Sequence, residues 1–145
     1  MRLYFDTSLL VASVLKDHVH HAAASAAFER ALDAKHRCYV AAQGLAEFYS
    51  VLTRLPAAPP VYPGEAWQII ETGILPHFTL VTLEPREYCE VLSESASQGW
   101  SGGRIYDALH LRAAQKAKCQ RIYTFNLRHF RELAPSRWGE NIVSP

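Results

Sequence analysis

Arg2-Leu3-Tyr4-Phe5-Asp6-Thr7-Ser8-Leu9 is the stretch on which the reading of this chain turns. Leu3-Tyr4-Phe5 is a short apolar run of strand length, and Leu9 to Leu15 continues as a helix-like stretch. Asp6 falls at the junction. In an open α/β sheet such a junction lies at the carboxyl edge, where these proteins bind ligands and do chemistry. An Asp before a helix is also a favoured N-cap. Taken alone, Asp6 reads as a cap, and any further meaning depends on what converges on the same edge.

Working outward, the spacing predicts a strand at 2–5, a helix from Ser8 and a second helix around His20–Ala34. The second helix carries a small-residue face of Ala22, Ala26, Ala27 and Ala31 with Phe28. A strand is expected at 37–41 and a helix from about Gly44 to Leu55. Pro56, Pro59, Pro60 and Pro63 then break the chain, and a new helix starts near Gly64. Beyond it come a strand at 78–83 and a helix at 85–98 with Tyr88, Val91 and Leu92 on one side. The turn Gly99-Trp100-Ser101-Gly102-Gly103 opens a helix at 105–118. A short strand at 121–124, a short helix at 127–133 and a final strand at 142–143 complete the pattern. Strands alternating with helices, without hairpin signals, predict an α/β fold: a parallel sheet sandwiched by helices on both faces. The 145 residues are read as a single domain, since neither side of the proline stretch is large enough to fold separately.

Nearly half of the residues are apolar, yet no run reaches the length needed to cross a membrane. The first strand starts at Arg2, which leaves no room for a signal peptide. Cys38, Cys89 and Cys119 are widely spaced, form no CxxC pair and read as reduced packing thiols of a cytoplasmic protein. The net charge of +1 is unevenly distributed. Residues 104–131 hold seven basic residues and one acid, whereas the rest holds eight basic and thirteen acidic ones. This asymmetry suggests a polyanion contact through the C-terminal part, or else an ordinary solvated helix face.

Four hard-oxygen residues fall at or just beyond the expected strand ends: Asp6, Glu47 in the first turns of its helix, Asp107 at a helix start and Asn126. Glu47 and Asp107 have apolar neighbours, so neither is fully solvated. Like charges within ~4 Å repel by ~4 kcal/mol at an effective dielectric near 20, so such a cluster calls for a cation. Oxygen-only ligands point to magnesium or manganese. Each residue also has a bland reading. Glu47 is then a helix-surface acid, Asp107 an acid favoured by the helix dipole, and Asn126 an N-cap. Their common edge favours the functional reading.

Phe5-Asp6-Thr7-Ser8, Glu47, Gly103-Arg104-Ile105-Tyr106-Asp107-Ala108-Leu109 and Thr124-Phe125-Asn126-Leu127-Arg128-His129-Phe130 together resemble a PIN domain. More narrowly, the chain is similar to the VapC-type toxins of bacterial and archaeal toxin–antitoxin pairs, over nearly its whole length. The resemblance implies a magnesium- or manganese-dependent endoribonuclease, with Asp6, Glu47 and Asp107 as acidic metal ligands. Asn126 stands where the family often has Asp, so the pocket has one negative charge fewer. Ser8 and Thr124 match positions whose hydroxyls orient carboxylates or water. His129 stands where many relatives carry an acid, and no role is carried onto it.

With a nuclease implied, Arg104, Arg112, Lys116 and Arg128 become candidates to hold RNA phosphates. Trp100 and Tyr106 could stack bases, although such aromatics more often belong to a core or its rim. His18, His20 and His21 read as helix-entry residues. His110, three residues after Asp107, reads as packing that could touch the pocket. The resemblance further implies an antitoxin partner, whose helix lies in an apolar groove with Leu9, Leu10, Val14 and the helix after Pro63 as candidate walls, and a homodimer. Competing readings are a phosphotransfer enzyme and a receiver domain, which lack a second Asp at Ser8 and a lysine near Thr124, respectively. A PIN-like RNA- or partner-binding module with weak catalysis is the other alternative.

Overall fold

The computed structural model describes residues 1–56 and 59–145. Its elements run β1 (Arg2–Phe5), α1 (Thr7–Val14), α2 (His21–Asp33), β2 (Arg37–Ala41), α3 (Ala42–Arg54) and α4 (Pro63–Ile69). A π-helical turn, Ile70–Ile74, leads to β3 (Phe78–Val81), α5 (Pro85–Gln98), α6 (Arg104–Lys116), β4 (Arg121–Tyr123) and α7 (Leu127–Leu133). A 3-10 turn at Ser136–Asn141 and β5 (Ile142–Val143) close the chain. The strands form one parallel sheet in the order β3-β2-β1-β4-β5.

Period-two alternation places the core on both faces of this sheet. Leu3 and Phe5, with Cys38, Val40 and Phe78, pack against α1 to α4 and the π turn. Tyr4, with Tyr39, Ala41, Ile122 and Ile142, packs against α5, α6 and α7. The predicted α/β sandwich is therefore the observed fold. Among the described residues, no helix is long and apolar enough to cross a membrane.

Differences from the expected elements have local causes. β3 ends at Val81 because its last partner on β2 is Ala41, and an edge strand has no other ladder to extend it. α6 ends at Lys116, and Lys118 turns into the left-handed region with φ 53°. The small-residue face of α2 is Ala24, Ala27 and Ala31, while Ala22 is exposed. On α5 the buried stripe is Glu87, Val91 and Ser95, spaced one helical turn apart; Leu92 faces outward. Gly99 ends α5 at φ 72°, a conformation that favours glycine. Cys38 and Cys119 are buried thiols, pushed by burial up to about 11 and about 12, whereas Cys89 is exposed on α5 and does not pack.

The chain steps from β1 outward to β2 and β3, then returns to place β4 on the other side of β1. The switch point thus lies between the carboxyl ends of β1 and β4. Side chains beyond those two ends face a common crevice.

Candidate active site

Asp6 follows β1 and is 4% exposed. Its backbone N–H donates to Tyr123 O at 3.0 Å, prolonging the β1–β4 ladder before α1 begins. One carboxylate oxygen, Oδ1, accepts the Thr7 N–H at 2.7 Å. The other, Oδ2, accepts the Ser8 hydroxyl at 2.8 Å and the Thr124 hydroxyl at 2.9 Å. Asp6 is therefore a helix cap and also the floor of a cleft of about 420 Å³, whose lining includes Glu47, Asp107 and Asn126. The four hard-oxygen residues, drawn from four separate segments, share this cleft.

Each is delivered by its own element. Asn126 occupies the N-cap position of α7, yet its side chain makes no capping bond there. Its N–H donates to Thr124 Oγ1 at 2.9 Å, which leaves the Thr124 proton for Asp6. Asp107 lies in the first turn of α6, half-buried, with His129 Nδ1 3.6 Å away and no hydrogen bond to its carboxylate among the described residues. Burial and the negative charge of Asp6 raise its affinity for a proton above the ordinary aspartate value, against the opposing pull of His110 and His129.

Glu47 rises from α3 and, like Asp6, accepts three hydrogen bonds. Its Oε2 accepts the Thr7 hydroxyl at 3.1 Å and His110 Nε2 at 3.0 Å, and its Oε1 accepts Gln43 Nε2 at 3.3 Å. Burial alone would raise its pKa, but the bond and charge of His110, with the bonds from Thr7 and Gln43, hold it below the ordinary glutamate range. His110 is 1% exposed and also stands 3.9 Å from Asp6 Oδ1. Burial lowers its pKa, while the Glu47 bond and the charges of Asp6, Glu47 and Asp107 outweigh that and raise it above the usual histidine value. Gly44 makes this packing possible: a Cβ there would come within 3.2 Å of His110 Cε1 and 3.4 Å of Thr7 Oγ1.

The donor chemistry suits a hard divalent cation. Three carboxylates and an amide carbonyl face one crevice, and half-buried Asp107 has the like charge of Asp6 as its neighbour. Among the described residues, no three His, Cys, Asp or Glu side chains are drawn together tightly enough to form a finished metal site. The acids ring the cleft without closing on a point.

Sequence reasoning missed Tyr4, Thr7 and the depth at which His110 is engaged. The one available signal was spacing: His110 lies one helical turn beyond Asp107, and Tyr4 shares a strand face with Asp6. His18 and His20 also line the cleft, and His20 stacks on Phe125 with ring centroids 4.4 Å apart. Trp100 lines a different, smaller cavity with Arg112 and Leu133, away from the acids.

All four of the arginines and lysines expected to face RNA stand in ion pairs, three with acids of other elements and Arg128 with an acid of its own helix. Arg104 pairs with Glu132, and Arg128 Nε lies 3.0 Å from the same acid. Arg112 contacts Glu90 at 2.5 Å, and Lys116 contacts Glu87 at 2.7 Å. Part of the basic surplus in 104–131 is thus offset by Glu87, Glu90 and Glu132, which lie outside that segment. Cations also gather at the amino edge of the sheet, where Arg2, Lys35, Arg37, Lys118 and the Glu87-paired Lys116 line a hollow of about 670 Å³.

Leu9 and Leu10, expected as groove walls, are core residues, and Val14 packs against the same core. The open, mainly apolar hollow on that side is lined by Leu15, Leu55, Pro56, Pro59 and Val61, with Lys16, Asp17 and His18 beside them.

Solved structures share this architecture. VapC20 of Mycobacterium tuberculosis, described as a Sarcin-Ricin loop cleaving toxin, superposes with a TM-score of 0.68 at 14% identity, covering 88% of this chain and 92% of that one. VapBC2 of Rickettsia felis, solved bound to a DNA fragment from its promoter, gives 0.66 at 15% identity over 100% of this chain and 98% of that one. FitAcB of Neisseria gonorrhoeae gives 0.59 at 14% identity, with 98% and 95% covered. At such identities the likeness is one of fold. No curated protein matches the chain by sequence. The family profile described as PIN domain matches residues 3–134, nearly the whole of the sheet and its helices, and the chain belongs to that family.

Proposed function

We propose that this protein is a magnesium- or manganese-dependent endoribonuclease and the toxin of a type II toxin–antitoxin pair. The observation that carries the reading is the convergence of Asp6, Glu47, Asp107 and Asn126 on one cleft at the switch point of the sheet. A divalent ion bound there supplies a water nucleophile near neutral pH and neutralises charge building on the phosphodiester. Asp6, fixed by Thr7, Ser8 and Thr124, would hold that ion together with Asp107 and Glu47, and Asn126 would add a neutral carbonyl. The protein's part is to orient these oxygens and to present the RNA strand in line.

RNA enters over a mouth bordered by His18, His20 and Phe125. Arg104 and Arg128 share Glu132, so either can turn to a phosphate while the other keeps the acid paired. The antitoxin partner is assigned to the apolar hollow beside Leu15, Leu55 and Val61, and the chain is assigned to a homodimer.

Sequencing of RNA ends after brief expression tests the reading. Wild type should leave 5′-phosphate and 3′-hydroxyl ends, and Asp6→Ala none. A cyclic phosphate product, or undiminished cleavage in excess EDTA, would refute the mechanism. A second reading, a PIN-like binding module with weak catalysis, is favoured by Asn126 and by the open spacing of the acids. It expects Asp6→Ala to bind RNA as wild type does, with no cleavage by either protein.

A further inference from the structure

The buried path behind Glu47 runs back to the backbone of the sheet. Ala41 N–H, at the end of β2, lies 3.2 Å from Tyr4 Oη and can only donate to it. Tyr4 Oη is 2.5 Å from His110 Nδ1, and His110 Nε2 is 3.0 Å from Glu47 Oε2. Tyr4 and His110 are both nearly inaccessible to water. Two directions in this path are set by its ends: the Ala41 amide donates to the Tyr4 oxygen, and the Glu47 carboxylate only accepts, so Nε2 carries a proton. In the neutral imidazole Nδ1 then accepts the Tyr4 hydroxyl proton. No buried polar side-chain atom among the described residues is left without a partner, as a closed path of this kind requires.

From this geometry we infer that Tyr4 and His110 are positioning residues: an oriented hydrogen-bond chain, Ala41 N–H to Tyr4 to His110 to Glu47, holds the Glu47 carboxylate at a fixed distance from Asp6. The inference rests on the metal-dependent reading above and adds residues outside the oxygen set. Its physical basis is that Glu47 has three rotatable side-chain bonds and rises from a helix, whereas Asp6 is short and locked by three donors. A ligand of that length needs an external anchor, and hydrogen bonds behind metal ligands commonly set their orientation. His110 supplies the anchor because it packs on Gly44, where no Cβ blocks its ring, and because Tyr4 fixes its tilt. Thr7 adds a second donor to the same Glu47 oxygen.

The test measures Mn²⁺ affinity by electron paramagnetic resonance in purified wild type, His110→Leu, His110→Gln and Tyr4→Phe, with thermal melts confirming the fold. His110→Leu fills the space without a donor and should bind Mn²⁺ about 10–100-fold more weakly. His110→Gln, whose amide can reach Glu47, should recover most of that loss. Tyr4→Phe keeps the aromatic packing, frees the imidazole to tilt and should weaken binding several-fold. Should His110→Leu fail to fold, Tyr4→Phe decides. Equal affinity in a folded His110→Leu and wild type, equal weakness of the Leu and Gln variants, or a Tyr4→Phe that binds as wild type overturns the positioning role. Wild type that binds no Mn²⁺ at all overturns the metal-dependent reading itself, and this inference with it.

Discussion

The two edges of the sheet carry opposite charge, and the contrast follows from the direction of the chain. In a parallel α/β fold, helices start at the carboxyl edge and end at the amino edge. The partial positive charge of α1 and α6 therefore points at Asp6 and Asp107, and the partial negative charge of α2 and α6 points at Lys35 and Lys118. The edges differ in solvent. At the carboxyl edge the acids are half-buried or buried, so their charges couple strongly and shift one another. At the amino edge the lysines are exposed, and water screens them. One edge is thus a site whose charges need a ligand, and the other is a set of solvated cations at helix ends.

The strongest way to break this contrast is to remove a carboxylate that needs the ligand. Asp6→Ala should lower RNA cleavage in magnesium by about a thousand-fold or more, the equivalent of ~4 kcal/mol in the barrier. Single-turnover assays on a structured RNA measure it, and a cut of less than tenfold would remove Asp6 from the metal site. Thr124→Val deletes one of the hydroxyls on Asp6 Oδ2 and should weaken Mn²⁺ binding about tenfold or more. Calorimetric titration reads that directly.

Metal-free protein sharpens the comparison through pH. Asp107 and His110 both have raised folded pKa values, so each contributes stability at low pH that is lost as pH rises through its folded value. Glu47 is lowered, so its contribution is present above its unfolded pKa and is lost as pH falls through the folded value. Stability without metal should therefore peak in mildly acidic solution and fall toward alkaline pH. Added magnesium should flatten that alkaline decline; thermal melts that show no such slope would contradict the coupling. Asp107→Asn removes the repelled charge and should raise the metal-free Tm at pH 8 by about 2–4 °C, no more than ~1 kcal/mol after solvent screening.

The smallest effect belongs to the amino edge. Lys35 and Lys118 both hold φ 53°, a backbone conformation that costs a side chain about 1 kcal/mol. Lys35→Gly and Lys118→Gly should each stabilise by about 0.5–1 kcal/mol in high salt, where the loss of the favourable helix-end charge is screened. Neither should change Mn²⁺ affinity, and a change would join the two edges that the fold keeps apart.

Local pattern made much of this molecule readable in advance. Apolar runs of strand length, prolines at helix starts and the alternation of strand with helix report the behaviour of adjacent residues. β1, β2 and α5 accordingly lie within a residue of their expected bounds. Asp6 was readable for the same reason, since one residue joins strand to helix. The faces of α2 and α5 were less readable, because small residues and mixed polarity leave the phase of a helix undetermined until a partner packs on it. Charge was least readable of all. Arg104 and Arg112 meet acids 28 and 22 residues away, so counting charges within a segment says nothing of their neutralisation.

The sequence by itself determined a parallel α/β fold and an acid at the carboxyl end of its first strand, because periodicity and chain breaks act over a few residues. Only the tertiary structure decided that Glu47 meets His110, that Tyr4 orders that imidazole, and that a group of cations collects at the opposite edge. Those outcomes depend on strand order and helix phase, which place residues 63 and 106 positions apart within hydrogen-bond distance.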